Sequence, residues 1–295
     1  DYFLEYKLNY QYNLSNQNKR EWLMDELKSF ILGIIFFYLA VRTYLYFLYR
    51  FPQVWWIYYT ITASIFIVII TFIFPTVLLP IFFKLESYPD SELKKGLLQL
   101  IKRADVKIDD IYEINLSSKI NAANAAVIGL GSSRKVILGD NLKDKYSFDE
   151  IESVLAHELG HQVHRDIFKN ILIQPIIILI ISYIIYIFWP SITQWYGYSS
   201  FDTVYTIPIL LLIVGFLSWL FSPIQLLLSR IAEKRADLYA VRLTGKGDSF
   251  ASALAKLADE SLSPLNVSLY RKIFILSHPP IKERIGYILK FVRES

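Results

Sequence analysis

Three long runs of the chain carry no charged side chain: residues 51–83, 170–201 and 203–229, of 33, 32 and 27 residues. About 20 apolar residues cross a bilayer as a helix, so each run predicts a membrane span. Runs this long exceed what buried helices of a soluble protein need. A fourth span is expected over residues 29–49, with Arg42 inside it; that guanidinium either snorkels to the interface or faces a wet cavity between helices. Outside these runs the period changes. Residues 91–104 place Leu93, Leu97, Leu100, Ile101 and Ala104 on one helix face. Residues 111–116, 124–130 and 135–138 read as short strands, and Gly129, Gly131, Ser132 and Ser133 divide the second from the third as in a hairpin. Ser147 with Glu150 three positions on is a capping box, opening a helix expected to continue into the third span. After Arg230 helical patterns resume, over residues 233–243 and 250–261, and Pro279-Pro280 opens a last helix.

The expected fold class is mainly α: multi-pass membrane helices with a domain outside the bilayer that holds a small β-sheet (α+β). Five stretches follow: a juxtamembrane segment (1–28), a helix pair (29–87), a core of that domain made of a helix, the small sheet and the helix opened at Ser147 (88–169), a second helix pair (170–229), and a C-terminal helical part of the same domain (230–295). Composition agrees, at 54% hydrophobic and 20% charged among 295 residues. There is no cysteine, which excludes disulfides, thiol nucleophiles and Cys-ligated metals. A net charge of +4 without a basic, aromatic-interleaved block predicts no nucleic-acid partner. Residues 189–202 hold no Lys or Arg, whereas residues 1–28, 84–169 and the tail from 230 hold most of them. The positive-inside rule puts those three regions in the cytoplasm; the basic connection at Arg50 is the exception.

The candidate chemistry lies at residues 154–164, Val-Leu-Ala-His-Glu-Leu-Gly-His-Gln-Val-His. His157 and His161, four apart on a helix, present two imidazoles on one face where they can share a metal. Glu158, beside the first, points to one side and suits a base that takes a proton from the attacking water. A catalytic zinc ordinarily has three protein ligands, so a third must come from elsewhere. Glu233 is the candidate, with Asp237 one turn on to accept a ligand imidazole's free N–H; His278 is the rival, and a solvated helix start is the alternative reading of Glu233. His164 fits an interfacial or supporting role. Gly160 marks either a close backbone approach or a tolerated helix glycine.

These motifs resemble those of the type I CAAX prenyl endopeptidases, integral-membrane zinc metalloproteases, along nearly the whole chain. The resemblance lies in His157–His161, Glu233-Lys234-Arg235-Ala236-Asp237, Asn124-Ala125-Ala126 with Gly129-Leu130, Ser277-His278-Pro279-Pro280 with Arg284, and residues 6–14 ahead of a membrane helix. It implies one Zn2+ per chain on His157, His161 and Glu233, and cleavage of C-terminally lipidated peptides at the cytosolic face. It implies His278 and Arg284 in the active site, and a substrate strand beside Asn124, Ala125, Ala126 and Val127. Family members have seven membrane helices, so three more are expected ahead of residue 1. Expected partners are a peptide or protein substrate, prenylated or not, and the bilayer. The expected location is the endoplasmic reticulum membrane in a eukaryote or the cell membrane in a bacterium. Bacterial membrane metalloproteases that degrade misfolded membrane proteins share the zinc motifs and are the rival resemblance. A catalytically silent membrane scaffold is the alternative from another class.

Overall fold

The computed structural model describes residues 2–129, 131, 134–197 and 204–294. Leu130, Ser132 and Ser133 of the expected hairpin, and residues 198–203 of the loop between the last two spans, lie outside the described residues. The chain divides into two compact units, one of Asp1–Leu27, Phe72–Asp166 and Leu226–Ser295, the other of Lys28–Thr71 and Ile167–Gln225.

The second unit is built from the apolar parts of four helices, α1 (Lys19–Arg50), α2 (Trp55–Ile73), α5 (Asp166–Trp195) and α6 (Ile207–Thr244), whose stretch from Leu226 onward belongs to the first unit. All four are long and apolar enough to span a bilayer. α2 extends through a wide π turn, Phe74–Leu78, and a last turn, Leu79–Phe82. Pro75 and Pro80, which lack an N–H, fall there, where the α-helical ladder is already interrupted. The inward side of this unit holds Tyr44, Trp55, Ile181, Trp189 and Leu217. Many outward side chains are also large and apolar, among them Ile65, Leu172, Leu212 and Phe216, as expected where lipid replaces water. Thr60 and Ser182 satisfy their hydroxyls by donating to the Trp56 and Ile178 carbonyls, each at 2.7 Å, and their oxygens meet at 3.2 Å. Arg42 is exposed.

The first unit carries a four-stranded sheet of β1 (Leu85–Ser87), β2 (Ile111–Ile114), β3 (Ala125–Ile128) and β4 (Lys135–Gly139), in the order β1-β2-β4-β3. β2 and β4 are parallel; the other pairs are antiparallel, and β3 is an edge. α3 (Glu92–Arg103) buries Leu97, Leu100 and Ile101, and Ser91 caps it by accepting from the Lys94 N–H. α4 (Phe148–Val163) begins at the complete capping box: the Ser147 N–H donates to Glu150 at 2.8 Å, and Ser147 Oγ accepts from the Glu150 N–H. Glu150 is buried and also accepts from Lys256 and Ser252, both at 2.7 Å. α7 (Gly247–Glu260), α8 (Leu269–Phe274) and α9 (Ile281–Glu294) complete the unit. Its core joins sheet, α3, α4, α7 and α9 through residues such as Leu97, Val136, Leu155, Phe250 and Ile288.

Two expected boundaries differ. The zinc-motif helix does not continue into the third span: α4 ends at Val163, Arg165 takes the left-handed conformation with φ 56°, and α5 starts at Asp166. Conversely, no new helix begins near residue 233, because α6 runs unbroken from the apolar run through Glu233 to Thr244. A change from lipid-facing to charged sequence looks like a helix end, but the backbone has no reason to break there. β1 and α8 were not anticipated. Ser147→Ala removes the cap of the most buried helix and is expected to cost about 1 kcal/mol, read as a lower thermal midpoint.

Candidate metal centre

α4 and α6 meet at Gly160. A Cβ there would lie 3.1 Å from Ala236 Cα and 3.2 Å from Tyr239 Cδ1, so a side chain at this position would push the two helices apart by a few tenths of an ångström. The crossing sets Glu233 of α6 opposite the imidazoles of α4. His157 Nε2 lies 3.3 Å from His161 Nε2 and 3.4 Å from Glu233 Oε2, and His161 Nε2 lies 3.3 Å from Glu233 Oε1. These three residues form a group able to hold a metal. A tetrahedral ion bonded at 2.0–2.1 Å has ligand atoms about 3.3–3.4 Å apart, which the two imidazole nitrogens match, with the Glu233 carboxylate facing both. Glu233 Oε2 is buried and takes no hydrogen bond among the described residues; Arg284 Nη2 stands 3.6 Å away, within ion-pair but not hydrogen-bond reach, so a bound cation would complete its coordination.

Each imidazole is oriented from behind. His157 Nδ1 faces Asp237 Oδ1 at 2.8 Å, and His161 Nδ1 faces Asp166 Oδ2 at 2.9 Å. Both arrangements leave Nε2 for the metal. Asp237, fully buried, also receives Arg284 through Nε at 2.8 Å and Nη2 at 2.5 Å, and the Tyr287 hydroxyl. Arg235 binds the other oxygen of Asp166. The cluster is strongly electronegative. Burial pulls the His157 pKa down, but hydrogen bonds to Asp237 and Glu233 outweigh it and carry it up to about 9. A divalent cation answers the same field.

His278 sits at the mouth, Nε2 3.1 Å from Glu233 Oε1 and Nδ1 2.8 Å from Ser277 Oγ. His164 stays out of the group: its Nδ1 faces the Gly160 carbonyl at 2.7 Å and its ring packs edge-on against Tyr239. Glu158 is partly exposed and lines a pocket of about 180 Å³ with His157, His278, Arg284, Asn124 and Ala125; Leu142, Val154, Phe250, Leu254 and Leu257 supply its apolar wall.

β3 borders this pocket. The Gly139 N–H donates to the Asn124 carbonyl at 2.9 Å, so by alternation Asn124, Ala126 and Ile128 bond toward β4 while Ala125 and Val127 direct their polar groups off the sheet. Two of the outward positions are taken. The Ala123 N–H donates to Glu260 at 2.8 Å, and the Val127 carbonyl accepts from Gln162 at 3.2 Å. Asp166, Arg235, Tyr287, Gln162 and Glu260 were not anticipated. For Asp166 no periodic signal existed, since it follows a helix break.

A model described as peptidase family M48 matches residues 87–292, and one described as the CAAX prenyl protease N-terminal region, five membrane helices, matches residues 1–84. The chain is 28% identical to the uncharacterized metalloprotease YhfN of Bacillus subtilis, over 98% of this chain and 68% of that one. It is 27% identical to CAAX prenyl protease 1 of Saccharomyces cerevisiae, over 100% of this chain and 68% of that one. The crystal structure of Ste24p from S. mikatae superposes with a TM-score of 0.87 at 26% identity, covering 97% of this chain and 70% of that one. If Asp166 orients His161, Asp166→Ala lowers metal affinity about 10- to 100-fold in a chelator-competition titration while the fold is kept.

Proposed function

The chain belongs to peptidase family M48 and is a membrane metalloprotease, and from that premise we propose that its metal is one zinc ion on His157, His161 and Glu233 and that it cuts C-terminally prenylated peptides at the cytosolic face. The observation that carries the metal assignment is the convergence of both imidazole Nε2 atoms, 3.3 Å apart, on the Glu233 carboxylate, one oxygen of which lies 3.4 Å from His157 and the other 3.3 Å from His161. Bound there, zinc supplies a Lewis acid that polarises the scissile carbonyl and eases deprotonation of the attacking water.

The remaining steps fall to side chains. Glu158, adjacent to a ligand yet turned toward the pocket, takes the proton from the attacking water and returns it to the leaving amine. His278, exposed at the mouth and oriented by Ser277, donates to the oxyanion. Arg284 spends its donors on Asp237 and lies 3.6 Å from Glu233, which favours a role in holding the ligands over direct contact with substrate. The substrate backbone adds to the β3 edge at Ala125, flanked by Asn124, Ala126 and Val127. The apolar wall of the pocket takes a side chain next to the scissile bond.

The prenylated substrate rests on the names of the yeast relative and its kin, and the cytosolic face on the distribution of Lys and Arg. The placement is the endoplasmic reticulum membrane in a eukaryote or the cell membrane in a bacterium. Glu158→Gln should retain metal and lose activity about 10²- to 10⁴-fold; full turnover in that variant ends the reading. Prenylated peptides should be cut with higher kcat/KM than unprenylated ones of the same sequence. Equal cutting of both would favour broad clearance of membrane proteins.

A further inference from the structure

The connection between α7 and α9 is covered with apolar side chains that nothing among the described residues shields. Leu265 is 64% exposed, Leu269 71%, Tyr270 56% and Ile275 52%. Among them stand Arg271, exposed, and Lys272, which pairs with Glu283 at 2.6 Å and ties α8 to α9. Scattered apolar residues need no explanation, but several on one short segment with two cations do.

The segment's depth follows from one hydrogen bond. Arg230 is the first charged residue after the uncharged run in α6. From Ile207 to Ser229 the helix rises roughly 34 Å, at about 1.5 Å per residue, and so just crosses a hydrocarbon core of about 30 Å. Arg230 therefore stands at headgroup level. Its Nη1 donates to the Leu276 carbonyl at 2.8 Å, directly after α8. The headgroup layer adds roughly 5–8 Å per leaflet, and α8 with six residues is about 9 Å long. The segment thus has the length and the composition to lie flat in that layer.

We propose that residues 262–276 are a membrane-dipping lip. Leu265, Leu269, Tyr270 and Ile275 enter the boundary between headgroups and acyl chains, and the exposed Arg271 meets anionic headgroups. His278 follows directly, so the lip holds the mouth of the metal site at the surface of the bilayer. The assignment rests on burial, charge and helix length, and does not depend on which peptide is cleaved.

The chain has no cysteine, so single cysteines label without background. Leu269→Cys and Ile275→Cys, carrying an environment-sensitive fluorophore in proteoliposomes, should show blue-shifted emission. Lipids bearing a nitroxide near the headgroup should quench most of it, more strongly when phosphatidylglycerol is included. Asp248→Cys, exposed on α7, should stay water-like. Water-like emission at 269 and 275, quenched by aqueous iodide as readily as the control, overturns the proposal. So does burial that appears only as protein-to-lipid ratio rises, which means a second copy, or only after a prenylated peptide is added, which means the substrate's tail. For the unaltered chain, a photoactivatable phospholipid should mark residues 262–276, and no mark there also overturns the proposal.

Discussion

The metal centre depends on a single close crossing, that of α4 over α6 at Gly160 and Ala236. The two imidazoles are fixed by their spacing on α4, but the carboxylate arrives on another helix, 72 residues later in the chain by Glu233 minus His161. Helices ordinarily pack with axes 8–10 Å apart, set by the side chains between them. Removing the side chain at the crossing draws Glu233 within 3.4 Å of both rings. Gly160 costs α4 some helix propensity, and the approach it permits explains why a glycine stands inside so buried a helix.

Around that crossing, charge is distributed so that few of the described groups are left alone. Asp237 receives His157, Arg284 and Tyr287, and Asp166 receives His161 and Arg235. Against the pull of burial, the hydrogen bond from His157 and the Arg284 guanidinium hold the Asp237 carboxyl below its usual range, and each of the two carboxylates steers an imidazole, where an unpaired buried one would cost several kcal/mol. Glu233 Oε2 and Arg235 Nε take no hydrogen bond among the described residues, and the first of these belongs to the group able to hold a metal.

Much of this was legible in the sequence, for identifiable reasons. Uncharged runs marked the four membrane helices because lipid tolerates few charges. The Ser147–Glu150 box marked the start of α4, and Leu97, Leu100 and Ile101 marked the inner face of α3, because capping and burial both act within a turn or two. The 157/161 spacing put two imidazoles on one face for the same reason. What escaped was non-local or without a residue signature. The left-handed turn at Arg165, which swings Asp166 behind His161, uses a residue with no preference for that conformation. The continuity of α6 past Ser229 was hidden by a change of surface from lipid to polar. By spacing Glu233 and His278 stayed rivals as third ligand, because what sets Glu233 opposite both imidazoles is the crossing of two helices far apart in the chain.

The occupied positions along β3 have a consequence beyond the site. A bare sheet edge invites pairing by any extended chain, including the same edge of a neighbouring molecule, and such contacts propagate into aggregates. Glu260 and Gln162 stopper the Ala123 N–H and the Val127 carbonyl, leaving a gap of one residue at Ala125. A gap that short is too small to seed a growing ribbon.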